Sequence, residues 1–247
     1  MNLILLFEED FLPDGRQVRL TGRRLEHVRT VHRAKTGDEL TVGLLGGRIG
    51  SGRVLRLDKE ALEMEVALDR DPPPPLPLTL LLALPRPKVL RRTLQTAASM
   101  GVKRIVLLNA YRVEKSYWQS PMLGEEALRE QLVLGLEQAR DTALPEIELR
   151  PRFKPFVEDE LPALAGGTRA LVAHPAAAGP CPRASEEPVT LAIGPEGGFI
   201  PYEVEKLSEC GFAPVTLGER ILRVEAAVPA LLSRPGCSKP SRKNSPA

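Results

Sequence analysis

The chain has 247 residues, of which 43% are hydrophobic and 27% are charged, a composition that can form a buried core. Its length accommodates two compact domains or one large one. The formal net charge of +2 excludes a strongly basic protein that coats nucleic acid, but it leaves local basic patches open.

Cysteine usage and hydropathy address redox chemistry and location. Cys181, Cys210 and Cys237 are widely spaced and form neither a paired motif nor a Cys/His cluster, so we predict reduced thiols and no metal site. The amino terminus has a short apolar run with no basic segment before it, and no apolar stretch has the length of a membrane span. We expect no signal peptide, no membrane association and a cytoplasmic location.

Residues 1–70 are predicted to form short strands separated by turns. The predicted elements are a strand over Gln17–Leu20, a short helix over Arg24–Val31, and strands over Glu39–Leu45, Arg48–Asp58 and Ala61–Leu68. In the last of these, apolar side chains alternate with glutamate and alanine, which places one face of the strand in a core. We predict a small, partly closed β-barrel, because closure protects strand edges.

A proline-rich segment at 71–77 divides the chain. Its sequence, Asp-Pro-Pro-Pro-Pro-Leu-Pro, excludes a helix or a central strand, because proline lacks the main-chain donor and fixes φ. It is typical of a stiff, extended linker. The sequence therefore predicts one domain over 1–70 and a second over 78–233.

Residues 78–233 alternate between strands and helices. The predicted strands are Leu78–Leu84, Lys103–Asn109, Arg169–His174, Val189–Ile193 and Ala213–Leu217, and the predicted helices are Leu90–Met100, Glu125–Arg140 and Pro201–Cys210. This order indicates an α/β domain with a mainly parallel sheet. Residues 234–247, rich in Pro, Ser, Lys and Arg, are predicted to be a disordered tail.

A glycine-rich turn is the most informative segment. Gly194-Pro195-Glu196-Gly197-Gly198 follows an apolar strand, and the carboxyl end of a parallel strand is where α/β proteins place ligands. The alternative is a tight strand-to-helix turn without a ligand. The turn lacks the Gly-x-Gly-x-x-Gly pattern of dinucleotide binding, which argues against a dehydrogenase.

A second segment follows the next predicted strand and reads Leu-Gly-Glu-Arg-Ile-Leu-Arg-Val-Glu-Ala-Ala. In it the apolar pair Ile221 and Leu222 lies among the charged Arg220, Arg223 and Glu225, which is unusual for a surface loop. The pattern fits a loop lining a pocket that takes an adenine-like ring and a charged group. The alternative is a helix start whose apolar pair is core and whose charges are solvated.

Together the two segments resemble the signature of the SPOUT class of methyltransferases, in particular the ribosomal RNA small subunit methyltransferase E family, which acts on uridine N3. Further similarity lies at 25–38, 94–106, 137–138 and 144–147, so the resemblance covers roughly residues 1–233. It implies an α/β domain with a trefoil-knotted, mainly parallel sheet, preceded by a PUA-like β-barrel that binds RNA. It also implies a homodimer, S-adenosylmethionine as cofactor, and small-subunit ribosomal RNA as substrate.

The resemblance assigns residues to the cofactor and to catalysis. The implied cofactor-binding residues are His174, Ile193, Gly194, Pro195, Glu196, Gly197, Gly198, Leu217, Gly218, Ile221 and Leu222. Arg220 or Arg223 would stabilise the developing uridinate, and Glu225 would act as a base or orienting group. The alternative for Glu225 is a carboxylate that only stabilises a helix amino terminus. No metal is needed for this chemistry.

Basic residues cluster as phosphate contact requires. The predicted RNA-binding residues are Arg23, Arg24, Arg29, Arg33, Lys35, Arg86, Arg112 and Lys115. Solvated surface charge explains many of them equally well. Because only 4% of the residues are aromatic, base stacking on an aromatic platform is not expected to dominate.

The sequence departs from the family pattern at four places. Gln95-Thr-Ala-Ala-Ser-Met-Gly101 stands where the family has Gln-Lys-Ala-Thr-Glu-Leu-Gly, which removes a charged pair. Arg223-Val-Glu-Ala226 stands where the family has Arg-Thr-Glu-Thr, Ile200 stands where a serine or threonine would cap a helix, and Pro229 lies within the last helix. Two alternatives therefore stay open: a related methyltransferase acting on the ribose 2′-oxygen of tRNA or rRNA, and a non-catalytic RNA-binding homologue.

Overall fold

The computed structural model describes residues 2–183 and 187–234 and shows a mixed α/β protein with two sheets. The predicted tail, apart from Arg234, and Cys237 lie outside the described residues. The helices in chain order are α1 (Gly22–His27), α2 (Pro87–Ser99), α3 (Glu125–Ala139), α4 (Phe153–Pro155), α5 (Leu161–Ala165), α6 (Pro201–Glu209) and α7 (Val224–Leu232). Short π-helical turns follow α1 at Val28–His32 and α4 at Phe156–Glu160.

The first sheet has five strands in the order β1-β3-β4-β5-β2. Their bounds are β1 (Ile4–Leu6), β2 (Gln17–Leu20), β3 (Glu39–Leu44), β4 (Ile49–Leu57) and β5 (Leu62–Arg70). All neighbours are antiparallel except β1 and β3. The strands β1 and β2 lie at opposite edges of a curled half-barrel, and two register shifts in β4 help to bend it.

The strands of this sheet, together with α1 and the turn after it, bury a core of their own. On β5, Leu62 and Met64 are fully buried, and Val66 and Leu68 pack against the same cluster, so the predicted alternation is confirmed. The other fully or nearly fully buried members are Ile4, Leu6, Val18, Leu20, Leu25, Val28, Val42 and Val54.

Helix α3 packs on residues from the start of the chain. Leu3 and Leu5 are buried against Val133 and Leu136 of α3. Among the described residues, one compact unit accordingly comprises 2–75 together with 94–103 and 124–145, and the other comprises 76–93, 104–123, 146–183 and 187–234. Each of these units combines several separate stretches of the sequence, whereas each predicted domain is one continuous stretch. The domain boundaries at 70 and 78 stay a prediction. The proline segment at 71–77 forms neither helix nor strand.

The second sheet has seven strands in the order β10-β12-β9-β11-β6-β7-β8, and every neighbouring pair is parallel. The strands are β6 (Leu78–Ala83), β7 (Arg104–Leu108), β8 (Glu146–Arg150), β9 (Arg169–Ala173), β10 (Gly179–Pro180), β11 (Val189–Ile193) and β12 (Ala213–Thr216). The predicted mainly parallel sheet is confirmed. All five residues of the central strand β11 are buried, which is typical of a parallel strand covered on both faces.

Candidate functional site

The candidate site lies where three neighbouring strands of the second sheet end. The carboxyl ends of β12, β9 and β11 are adjacent, and the loops that follow them, together with α7, enclose a cavity of about 390 Å3. That volume lies within the range of about 300–1,000 Å3 that small-molecule sites have. The edge of a parallel sheet at its carboxyl ends is also the usual ligand position in α/β proteins.

The cavity brings together the residues that the sequence singled out. All eleven predicted cofactor-binding residues line it, from His174 on the first loop to Leu222 on the last. Arg220 lines it as well. Arg223 and Glu225 do not: Arg223 is the exposed amino-terminal cap of α7, and Glu225 is half-buried in the first turn of that helix.

The glycine-rich turn has a shape that requires its glycines. The Gly198 N–H donates to the carbonyl of Pro195 over 2.8 Å, and Gly198 has φ +72°, a left-handed conformation that favours glycine. A Cβ on Gly194 would lie 2.8 Å from the main-chain nitrogen of Phe199, closer than real side chains come. The main chain therefore folds tightly back on itself beside the cavity.

Two arginines from neighbouring strand ends hold this turn. The main-chain N–H of Arg86, after β6, donates to Oε1 of Glu196 over 3.1 Å, and the Arg86 side chain lies 3.7 Å from the same oxygen. Nη1 of Arg112, after β7, donates to the carbonyl of Gly197. Glu196 thus lines the cavity while its carboxylate ties the turn to Arg86, which follows β6 along the chain.

A buried carboxylate fixes the entry to α6. Glu203 is only 2% exposed; its Oε2 accepts from the Ile200 N–H over 2.9 Å, and its Oε1 accepts from the Tyr111 N–H over 2.6 Å. Ile200 has no side chain that can cap the helix, as the sequence indicated, but the Glu203 carboxylate satisfies its main-chain donor instead. Pro201 adds a φ suited to the first helical position.

The apolar pair on the last loop is exposed rather than part of a core. Ile221 is 82% exposed and Leu222 is 41% exposed, although both line the cavity. Among the described residues, the main-chain N–H of Leu217 at the start of this loop has no hydrogen-bond acceptor. These features suit a flat apolar ligand with hydrogen-bonding edges. The exposure of Ile221 and Leu222 excludes the alternative in which both belong to a hydrophobic core.

Sequence reasoning missed part of the wall. Phe199 closes the turn, and one face of α7 contributes Val224, Ala227 and Leu231. The spacing of three and four residues along α7 is the signal that could have found them. Pro229 lies inside this helix without ending it.

The predicted RNA-binding residues have different surroundings. Arg24 is largely enclosed: it donates to both carboxylate oxygens of Asp10, over 2.5 and 2.7 Å, and to the carbonyl of Leu5. Arg23 makes a bidentate pair with the buried Glu137, over 2.9 Å for each bond. Arg29 pairs with Glu26 at 3.1 Å on the surface.

Four other basic residues of that set differ from these three in their ion pairing. Arg33, Lys35, Arg112 and Lys115 have no carboxylate partner in the part of the chain that the structure describes. Of all eight, only Arg112 lines the cavity.

Neither of the two cysteines that the structure describes lines the cavity. Burial raises the pKa of both Cys181 and Cys210, so these thiols stay protonated and are poor nucleophiles. Within 2–183 and 187–234, no three His, Cys, Asp or Glu side chains group as a metal would require. No helix in the same ranges is both long and apolar enough to span a membrane.

Comparison with known proteins agrees with this arrangement. Residues 72–235, more than half of the chain and all of the cavity, match the family model of the RNA methyltransferase domain. The fold and the site thus define a member of a family of RNA-modifying enzymes. The chain belongs to the RNA methyltransferase domain family.

Particular relatives can be named. The chain is 28% identical over 232 residues to the ribosomal RNA small subunit methyltransferase E of Treponema pallidum, covering 92% of this chain and 87% of that protein. Its fold is similar to that of the same-named enzyme of Neisseria gonorrhoeae, solved with S-adenosylmethionine, at a TM-score of 0.71 and 22% identity over 94% of this chain and 95% of that one. A Legionella pneumophila protein solved with the cofactor SAM gives a TM-score of 0.69 at 25% identity, again over 94% and 95%.

Proposed function

We propose that this protein transfers a methyl group from S-adenosylmethionine to uridine N3 in small-subunit ribosomal RNA. The observation that carries the proposal is the cavity at the carboxyl ends of β9, β11 and β12, lined by all eleven predicted cofactor-binding residues. Membership of the RNA methyltransferase domain family implies this cofactor. The names of the full-length relatives support ribosomal RNA as the substrate.

The residues present fit an adenosyl group. The exposed Ile221 and Leu222 offer apolar surface for a ring, and the unpaired N–H of Leu217 offers a donor for its edge. The main chain at Gly198 can approach a ligand closely, because no side chain occupies the open space beside it. When bound, S-adenosylmethionine supplies an electrophilic methyl group on a sulfonium, so no metal is invoked.

The protein's own part in the reaction is electrostatic. Uridine N3 carries a weakly acidic proton and is a poor nucleophile until that proton leaves. Arg220 faces the cavity and has no ion-pair partner among the described residues, so we assign it to the developing negative charge. Arg223 and Glu225, which flank the lining residue Val224 in sequence, are proposed as a second cation and as the base or orienting carboxylate.

RNA contact is proposed for the basic side chains that the fold leaves available. Arg33, Lys35, Arg112 and Lys115 are free of carboxylates within the described ranges, which favours phosphate contact. The exposed pairs of Arg29 and Arg86 can exchange a carboxylate for a phosphate. Arg23 and Arg24 are assigned instead to the fold, because their carboxylate partners are buried.

The architecture of the family also belongs to the proposal. We include a trefoil knot, a PUA-like character for the half-barrel, a homodimer and a cytoplasmic location. The strand order supports the knot. Strand β12 pairs with the edge of β9 that faces away from β11, and the chain after β12 returns to the cavity in α7. The half-barrel supports an RNA-binding module.

A methyl-transfer assay tests the function. Purified full-length protein, S-adenosylmethionine labelled in its methyl group and small-subunit ribosomal RNA should give labelled RNA. At saturating RNA, Arg220→Ala should lower the single-turnover rate by about a hundred- to thousand-fold, which is the usual cost of losing one charge-stabilising donor. Arg223→Ala and Glu225→Ala should lower it less, because neither side chain lines the cavity.

The same assay can also contradict the proposed function. RNA that stays unlabelled with a protein that binds S-adenosylmethionine would favour a non-catalytic RNA-binding homologue. Unchanged turnover in all three variants would remove this loop from the chemistry.

A further inference from the structure

One aromatic side chain is largely exposed. Tyr111, in the loop after β7, is 79% exposed, the largest exposure among the bulky apolar and aromatic residues of the described chain apart from Ile221. Its ring makes no aromatic or cation contact there. A tyrosine ring with this exposure is available to a partner.

The main chain beneath this ring is held firmly. The Tyr111 N–H donates over 2.6 Å to Oε1 of Glu203, whose other oxygen binds the start of α6. On the other side of the loop, the Val113 N–H donates to the carbonyl of Ala110 over 3.0 Å. The ring therefore projects from an ordered backbone, so that ordering it costs little when a ligand binds.

The position of Tyr111 relates it to the cavity. The next residue, Arg112, lines the cavity and donates to Gly197 of the glycine-rich turn. Tyr111 itself does not line the cavity. A ligand group on its ring would thus lie beside the group that enters the cavity, not in it.

Two basic side chains close to Tyr111 in sequence are available to an anionic ligand. Arg112 and Lys115 have no carboxylate partner within the described part of the chain. Of the carboxylates nearby, Glu203 is buried with both oxygens occupied, Glu196 is engaged by Arg86, and Glu114 lies near Tyr117. An anionic polymer with flat bases complements this surface better than an apolar protein segment does.

We infer that Tyr111 stacks on the base of an unpaired nucleotide that neighbours the methylated one, while Arg112 and Lys115 contact the phosphates on either side. This inference rests on the proposed function and specifies how its RNA is held. Sequence-specific proteins take single-stranded RNA by stacking splayed bases on aromatic rings. Tyr111 is thereby a substrate-positioning residue at the mouth of the site.

A matched pair of variants tests the stacking. Tyr111→Leu keeps an apolar side chain but removes the aromatic face, and Tyr111→Phe keeps the face but removes the hydroxyl. With small-subunit ribosomal RNA as the probe, Tyr111→Leu should raise the RNA concentration for half-maximal single-turnover rate by about 5- to 150-fold, and Tyr111→Phe should stay within about twofold. Cofactor affinity by calorimetry should be unchanged in both.

Salt dependence separates stacking from phosphate contact. The slope of log affinity against log salt concentration should be unchanged in Tyr111→Leu, whereas Lys115→Gln should flatten it by about one phosphate contact. An unchanged half-saturating RNA concentration in Tyr111→Leu, with active wild-type protein, overturns the stacking role alone. Equal losses in Tyr111→Leu and Tyr111→Phe also overturn it, because they assign the effect to the hydroxyl. A wild-type protein that transfers no methyl group to RNA overturns the proposed function and this inference with it.

Discussion

The surroundings of single residues divide the basic side chains into two groups that sequence clustering could not separate. Arg24 lies in a run of basic residues, yet it pairs with Asp10, fourteen positions earlier, and lies over the ring of Phe7 at 4.8 Å. Arg23 likewise meets Glu137, 114 positions later. Because pairing partners at such separations depend on the tertiary fold, composition predicts a basic patch but not which members are free.

The buried pair yields a prediction on stability. Asp10→Asn leaves the Arg24 guanidinium, 15% exposed, without its charged partner, and we expect a loss of about 3–5 kcal/mol in the free energy of unfolding. The matched control is Asp71→Asn. The Asp71 carboxylate pairs with Arg48 at 3.3 Å on the surface, where the side chains of Arg48 and Asp71 are 62% and 83% exposed, respectively. That change should cost about 0–1 kcal/mol. Urea denaturation measures both, and equal small losses would show that the Arg24 pair is not important for stability.

At the scale of elements, the periodicity of hydrophobic residues predicted which strand residues are buried. The apolar run at 78–84 became a buried central strand, and the alternation in β5 placed its glutamates outward. The strands β1, β8 and β10 were not predicted. Each lies at a sheet edge and is short, with three, five and two residues in that order, so too few positions are present to show a strand periodicity.

The sequence singled out the glycine-rich turn as a candidate ligand turn, but it did not indicate which residues hold the turn in place. Strand ends that bring Arg86 and Arg112 to it are about 85–110 residues away in sequence, so no local pattern contains them. The same applies to Glu203 as a substitute for a capping side chain on Ile200. Local chemistry identifies the turn, and the parallel sheet supplies its supports.

Two glycines of this turn give a matched prediction. A Cβ on Gly194 would lie 2.8 Å from a main-chain nitrogen, which cannot yield without moving the turn; a Cβ on Gly197 would lie 2.8 Å from Cδ of the flexible Arg112 side chain. Gly194→Ala should therefore weaken S-adenosylmethionine binding at least about tenfold, and Gly197→Ala by no more than about threefold. Isothermal titration calorimetry measures both. The reverse order would mean that the contact of Arg112, and not the main-chain shape, determines cofactor affinity.

At the scale of the whole molecule, the sequence predicts a domain boundary at the proline segment 71–77. The compact units of the structure instead each combine several separate stretches of the sequence. Helix α3 lies far along the sequence but contributes Val133 and Leu136 to the core formed with Leu3 and Leu5. Removing residues 1–70 would expose that apolar surface and leave Glu137 without Arg23. Truncation at the proline segment thus disturbs folding as well as any RNA contact, and point variants are the better probes.

The central claim is methylation at uridine N3, and it distinguishes this protein from a relative that methylates ribose. The most direct measurement is mass spectrometry of nucleosides from small-subunit ribosomal RNA of cells with and without the gene. The account predicts 3-methyluridine in the first sample and its loss from the second, with restoration by the wild-type gene but not by one encoding Arg220→Ala. Unchanged 3-methyluridine, or the loss of a 2′-O-methylated nucleoside in its place, would contradict it.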